Sequence, residues 1–206
     1  MKIVRSATIL AIELSSARGS LAWRSGEIAA VREWANDRKN SGAFFKNLAE
    51  VQREFGPPES IIVGLGPGSY AGVRIAISAA IGMQTASGAK LVGLPSICAI
   101  ECDENEYFMI GDARRETFFF ARVCESDVVQ GPDLYSENEL REKIDQLDSN
   151  MPVFASEKLP QFERVTVRYP SAGLLARLAQ EPNQNFSSPP LEPIYLREPH
   201  ITMPKK

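Results

Sequence analysis

The chain alternates short apolar runs with polar turns, and that pattern repeats. Residues 7–14, 20–23 and 27–34 read as three strands joined by tight turns. Residues 36–40 form a polar loop. Ser41 is placed as the N-cap of a helix running to Phe55, which Gly56-Pro57-Pro58 stops. A short apolar run at 60–65 predicts a buried strand. Residues 71–87 then carry a long helical pattern ended by Gly88, followed by a strand at 90–93 and a brief helix from Ser96.

The second half follows the same order. Strands are predicted at 106–111, 116–123 and 127–134. Ser136 and Glu139 form a capping box for a helix over 136–147. A short strand at 152–155, another at 165–169 and a helix over 171–180 follow, and the remainder is proline-rich and polar around "PIYLRE". Each half thus reads strand, strand, strand, helix, strand, helix. Each also places an acid after its first strand and arginine before the next, in "ILAIELSSARGSLAW" and "FMIGDARRETFFFAR". A duplicated α/β unit, divided into residues 1–101 and 102–206, is the simplest account.

Between the 60–65 strand and the long helix lies "GLGPGSYAGVR", residues 64–74. A P-loop would follow its last glycine with lysine and a hydroxyl, but here Val73 and Arg74 follow Gly72. A dinucleotide-binding turn needs Gly-x-Gly-x-x-Gly and an acid after the next strand. This turn is one residue too long, and "KLVGLPS" supplies no acid. A general anion site at Gly66, Gly68, Ser69 and Arg74, with Glu13 as a further candidate phosphate or nucleotide contact, survives, since a helix N-terminus favours negative charge. The residues favour a tight, closely packed turn over that site.

The helix behind the turn is apolar over most of its circumference. At 100° per residue, Val73, Ile77, Ala80 and Ile81 form one stripe; Ile75, Ala79, Gly82, Met83 and Ala86 form a second, facing roughly away. Only Arg74, Ser78 and Thr85 make a polar strip. In the preceding helix Phe44, Leu48, Val51 and Phe55 align, and Phe45 with Ala49 broadens the face. One sheet cannot cover so much apolar helix, so a second chain is expected there, with burial by the protein's own second half as the alternative. The candidate interface is Phe44, Phe45, Leu48, Val51, Gly72, Ile75, Ala76, Ala79, Gly82, Met83 and Ala86.

Composition narrows the chemistry. The 206 residues carry 23 Lys and Arg against 26 Asp and Glu, a net charge of −3, which argues against nucleic-acid binding over the whole surface. No apolar run reaches the roughly 18 residues of a membrane span, and the N-terminus reads as a strand rather than a leader, so the cytoplasm is the default. Three cysteines exclude a complete disulfide framework. Cys98 and Cys102 are read as buried thiols on a helix. The single histidine, His200, has no obvious partners for a metal site or a catalytic triad.

"GLGPGSYAGVR", with "ILAIELSS" before it, "LVGLPS" and "GDARRETFFFA" after it and "PIYLRE" near the end, resembles the TsaB (YeaZ) family over nearly the whole chain. The resemblance implies an actin/Hsp70-like (ASKHA) α/β fold of two ribonuclease-H-like halves. It also implies a role in forming N6-threonylcarbamoyladenosine at position 37 of tRNAs reading ANN codons. Such proteins are non-catalytic subunits, so no cofactor of its own is expected. The partner TsaD holds the metal and transfers the threonylcarbamoyl group, a small ATPase, TsaE, joins, and tRNA enters through the complex. The TsaD contact is built from the two N-terminal-half helices, and self-association into a homodimer is expected when the partner is missing. The family name is tied to glycoprotease-like M22 peptidases, but no metal or nucleophile set for peptidase chemistry is evident here. Asp112, Arg114 and Arg115 carry over as tRNA or TsaE contacts, or as a local salt-bridge cluster.

Departures from the family pattern bear on nucleotide binding. Glu13-Leu14-Ser15 stands where the family has Asp-Thr-Ser, and Asn40-Ser41 where it often has His-Ser. Leu65, Tyr70 and Ala71 replace Arg, Phe and Thr of the glycine motif, which removes two polar handles from the anion site. The rival readings are a stand-alone actin-like ATPase or kinase, with Glu13 and Asp112 positioning metal, and a homodimeric paralogue without a tRNA role.

Overall fold

The computed structural model describes residues 8–26, 28–36, 41–181 and 184–197. Glu27, most of the 36–40 loop and His200 lie outside them. Two five-stranded sheets have the same plan. In the first, β1 (Ile9–Glu13), β2 (Arg18–Ser25) and β3 (Ile28–Ala35) form an antiparallel meander, and β4 (Ser60–Gly64) and β5 (Lys90–Leu94) add in parallel on the other side of β1, giving the order β3-β2-β1-β4-β5. In the second, β6 (Glu106–Asp112), β7 (Thr117–Cys124) and β8 (Asp127–Ser136) form the meander, and β9 (Val153–Ala155) and β10 (Thr166–Val167) add beside β6. The order β10-β9-β6-β7-β8 is the first sheet's plan repeated, which is the duplication read from the sequence.

Helices α1 (Gly42–Phe55) and α2 (Tyr70–Ser87) lie on the outer face of the first sheet, and α3 (Glu137–Asp145) on the outer face of the second. α4 (Ala172–Leu178) belongs to the second half of the chain but packs on β1 and β2 of the first sheet, and its Ala172 N–H donates to Ser20 Oγ at 2.9 Å. Alternation along each strand explains the layering. Ile9 and Ala11 of β1 meet Tyr107, Met109, Phe119 and Ala121 of the second sheet in a shared inner core with α4. Leu10 and Ile12 point instead to α1 and α2. β1 is therefore covered on both faces and buried throughout, which is why it reads as an unbroken apolar run.

The second half departs from the first half's plan in one place. β4 and β5 are joined by the long α2, whereas residues 156–165 between β9 and β10 form turns, and Phe162 supplies the buried apolar group there. The capping box of α3 forms as predicted. Ser41, expected to cap α1, makes no side-chain cap hydrogen bond. Cys98 is buried in a short 3₁₀ turn while Cys102 lies in the following loop, so the two thiols do not share a helix. Burial pushes the Cys98 thiol up to about 12. No helix of the described residues is long and apolar enough to cross a membrane.

Candidate functional site

Two features could carry function: the outer face of α1 and α2, and a cleft between the sheets. The glycine turn lies between them.

The turn is built against the loop after β1. Ser69 N–H donates to Ser15 O at 2.6 Å, and Ser69 Oγ caps α2 by accepting from Gly72 N–H at 3.3 Å. The contact is too close for side chains. A β-carbon at Gly68 would lie 2.2 Å from Ser15 O, and one at Gly72 only 2.1 Å from Leu14 O. Gly66 spends both backbone groups on Ser96, through Ser96 Oγ at 2.9 Å and Ser96 N–H at 2.8 Å. Glycine in this turn therefore sets the distance between two backbones and the launch angle of α2.

Glu13 ends β1 at 0% exposure. Its Oε1 accepts from Ser15 N–H at 2.6 Å, and its Oε2 is buried without a hydrogen-bond partner beside Gly64. Desolvation raises its pKa above the usual carboxylate range, and nearby Ser15 and Ser96 groups only partly oppose that. Glu13 is thus a prop under the turn, sealed from the cleft. Arg74 also stays out of the cleft. It is exposed and donates to Tyr70 Oη at 2.6 Å. Of the five residues predicted to touch phosphate, only Gly68 and Ser69 line the cleft.

The cleft has a volume of about 460 Å³. Its walls come from the loop after β1, the glycine turn, the β6–β7 turn, residues 156–157 and the segment 193–197. Asp112 and Arg114 reach it. They are tied to each other: Arg114 N–H donates to Asp112 Oδ1 at 2.6 Å and Arg114 Nη1 to Oδ2 at 2.9 Å. Arg114, Arg115 and Glu116 all adopt left-handed backbone, at φ of 68°, 54° and 57°. Arg115 faces a neighbouring groove with Lys158. Sequence reasoning missed the contribution of 193–197. Ile194 N–H donates to Leu65 O at 2.8 Å and Arg197 donates to Thr117 Oγ1, so this segment straps the first sheet to the second. The segment is the "PIYLRE" stretch that the family resemblance singled out without assigning it to a site. Among the described residues no group of three or more His, Cys, Asp or Glu side chains gathers to hold a metal.

The helix face divides the predicted interface set. Phe44, Val51, Gly72 and Ala76 are buried in the protein's own core and cannot reach a partner. They lie on the stripe that faces the sheet, where burial of apolar surface against β-strands already claims them. Ile81, read as part of that inner stripe, is 44% exposed because it sits at the stripe's edge, 100° on from Ala80. Ile75 is half-buried. The rest converge: Phe45, Leu48, Ala79, Gly82, Met83 and Ala86 line one shallow, mostly apolar groove of about 450 Å³ between α1 and α2.

Comparison with known proteins places this arrangement. The family model described as "TsaD: tRNA N6-adenosine threonylcarbamoyltransferase" matches residues 41–192. An uncharacterized protein of Mycobacterium leprae is 28% identical over 155 residues, 74% of this chain; the chain spans only 42% of that relative's length. An uncharacterized protein of Mycobacterium tuberculosis H37Rv is 26% identical over 175 residues, covering 84% of this chain and 81% of the relative. Among solved structures, a Pseudomonas aeruginosa protein described as similar to peptidase YeaZ superposes with a TM-score of 0.72 at 19% identity, covering 93% of this chain and all of that one. YeaZ from Pseudomonas aeruginosa superposes at 0.67 and 18% identity, covering 84% of this chain and 90% of that one. The chain belongs to the tRNA N6-adenosine threonylcarbamoyltransferase (TsaD) family and has the two-lobed α/β fold of YeaZ.

Proposed function

We propose that this chain is the non-catalytic, TsaB-like subunit of a threonylcarbamoyl-transfer assembly, and that a TsaD-like partner seats in the α1–α2 groove. Gly82 is the observation that carries this reading. It lies in the middle of α2, exposed, and a β-carbon there would meet nothing within 4 Å. Glycine in a helix interior costs about 1 kcal/mol relative to alanine. Nothing within the described residues uses the space it leaves, and a second chain approaching the helix closely would. Phe45, 50% exposed, and half-buried Met83 flank that space as apolar anchors. A TsaE-like ATPase and the tRNA would join through the assembly, with ATP and metal held by the partner subunits, in the cytoplasm where the tRNA substrate is. In isolation a second copy of the chain would use the same groove.

A stand-alone ATPase is less favoured. The acid that would place metal, Glu13, is sealed beneath the glycine turn, and Asp112 is committed to Arg114. Calorimetry of the isolated chain with ATP and magnesium tests that rival. Affinity capture of the same organism's TsaD tests the main reading. The wild type should retain TsaD and the double variant Ala79→Arg, Met83→Glu should not. Capture by both would refute the groove as the docking face.

A further inference from the structure

At the mouth of the cleft two exposed tyrosines from distant parts of the chain lie together. Tyr70 opens α2 and is 52% exposed; Tyr195, on the strap, is 45% exposed. Their ring centroids are 5.4 Å apart. The Arg74 guanidinium sits 5.1 Å from the Tyr70 ring centroid and donates to its Oη. Arg74 makes no ion pair among the described residues, so its charge is free for an anion. Large aromatic surfaces kept in water beside an unpaired guanidinium suit a planar ring attached to a phosphate.

The family's reaction supplies such a ligand. Its substrate is the N6 atom of a tRNA adenosine, and N6 lies on the Watson–Crick edge of the base. That edge is accessible only where the adenosine is unpaired and turned out of its stack. A neighbouring loop base then loses a stacking partner. We infer that Tyr70, Tyr195 and Arg74 form a platform on which an unpaired base of the RNA substrate stacks, with Arg74 on its phosphate. This rests on the proposed role in tRNA modification, and it assigns to this chain a direct contact with the RNA.

The test is fluorescence anisotropy of a labelled RNA hairpin with an adenosine-containing single-stranded loop, titrated with the full chain. A fully duplexed RNA of the same length serves as control. Tyr70→Ala and Tyr195→Ala should each weaken hairpin binding about tenfold, which one lost base–aromatic stack supplies. Tyr70→Phe, which keeps the ring, should bind within about twofold of the wild type, and Arg74→Ala should reduce the salt dependence of binding. Duplex binding should not change. TsaD capture is measured on the same variants. Hairpin binding lost with TsaD capture at the wild-type level supports the platform; hairpin binding lost where the wild type itself captures no TsaD supports it too, and only the docking proposal then fails. Hairpin binding equal in all variants, no hairpin binding by the wild type, or loss confined to TsaD capture would each overturn it.

Discussion

Replacing Gly82 with alanine should move stability and partner binding in opposite directions. The residue is exposed in the interior of an 18-residue helix, and its added methyl group would touch nothing in the protein. Alanine removes backbone freedom from the unfolded chain without creating a clash, so the isolated protein should gain about 0.5–1 kcal/mol. For a domain of this size that is a rise of roughly 2–4 °C in midpoint per kcal/mol. The groove is a different environment. If another helix seats against Gly82, an extra methyl group overpacks the contact and costs about 1–3 kcal/mol. Association with TsaD should then weaken by about 5- to 150-fold. Thermal denaturation of the isolated chain and calorimetric titration with TsaD measure the two effects on one variant. A stabilised variant that binds TsaD as tightly as the wild type would show that the partner does not approach this helix. A destabilised variant would show that Gly82 is required within the fold, and the reasoning from its open surroundings would be wrong.

Two further outcomes follow from the glycine turn. Glu13 has a folded pKa raised above its ordinary 4.5 by burial, so the folded protein keeps a proton that the unfolded chain releases. Its contribution to stability is complete below the unfolded pKa and is lost as pH rises through the folded one. Glu13→Gln should flatten that decline in urea midpoints measured across pH, and an unchanged slope would exclude Glu13 as its source. Gly72→Ala should destabilise the fold by about 2–4 kcal/mol, because its methyl group would lie 2.1 Å from the Leu14 carbonyl oxygen. A midpoint close to wild type in the same denaturation would show that the β1 loop yields easily.

The sequence by itself determined the duplicated order of strands, because burial on both faces leaves continuous apolar runs such as 9–12 and 61–63. It also marked the C-terminal end of the long helix at Gly88, since left-handed backbone is local chemistry, and placed its start at Ala71, one residue past the observed Tyr70, without reading Ser69 as the cap. The glycine turn was legible as a turn because its composition admits no P-loop. Tertiary structure decided which apolar residues remain available. Phe44 and Phe45 are adjacent and chemically identical, yet one is 1% exposed and the other 50%. The side facing the sheet depends on how α1 is rotated against β2, which composition does not specify. Long-range packing likewise sealed Glu13 beneath Gly64, sent α4 across to the first sheet, and brought Tyr195 to within 5.4 Å of Tyr70 across 124 intervening residues. Periodicity reports what one element needs to bury. Which surface does the burying, and which is left for another molecule, is settled only when the sheets and helices meet.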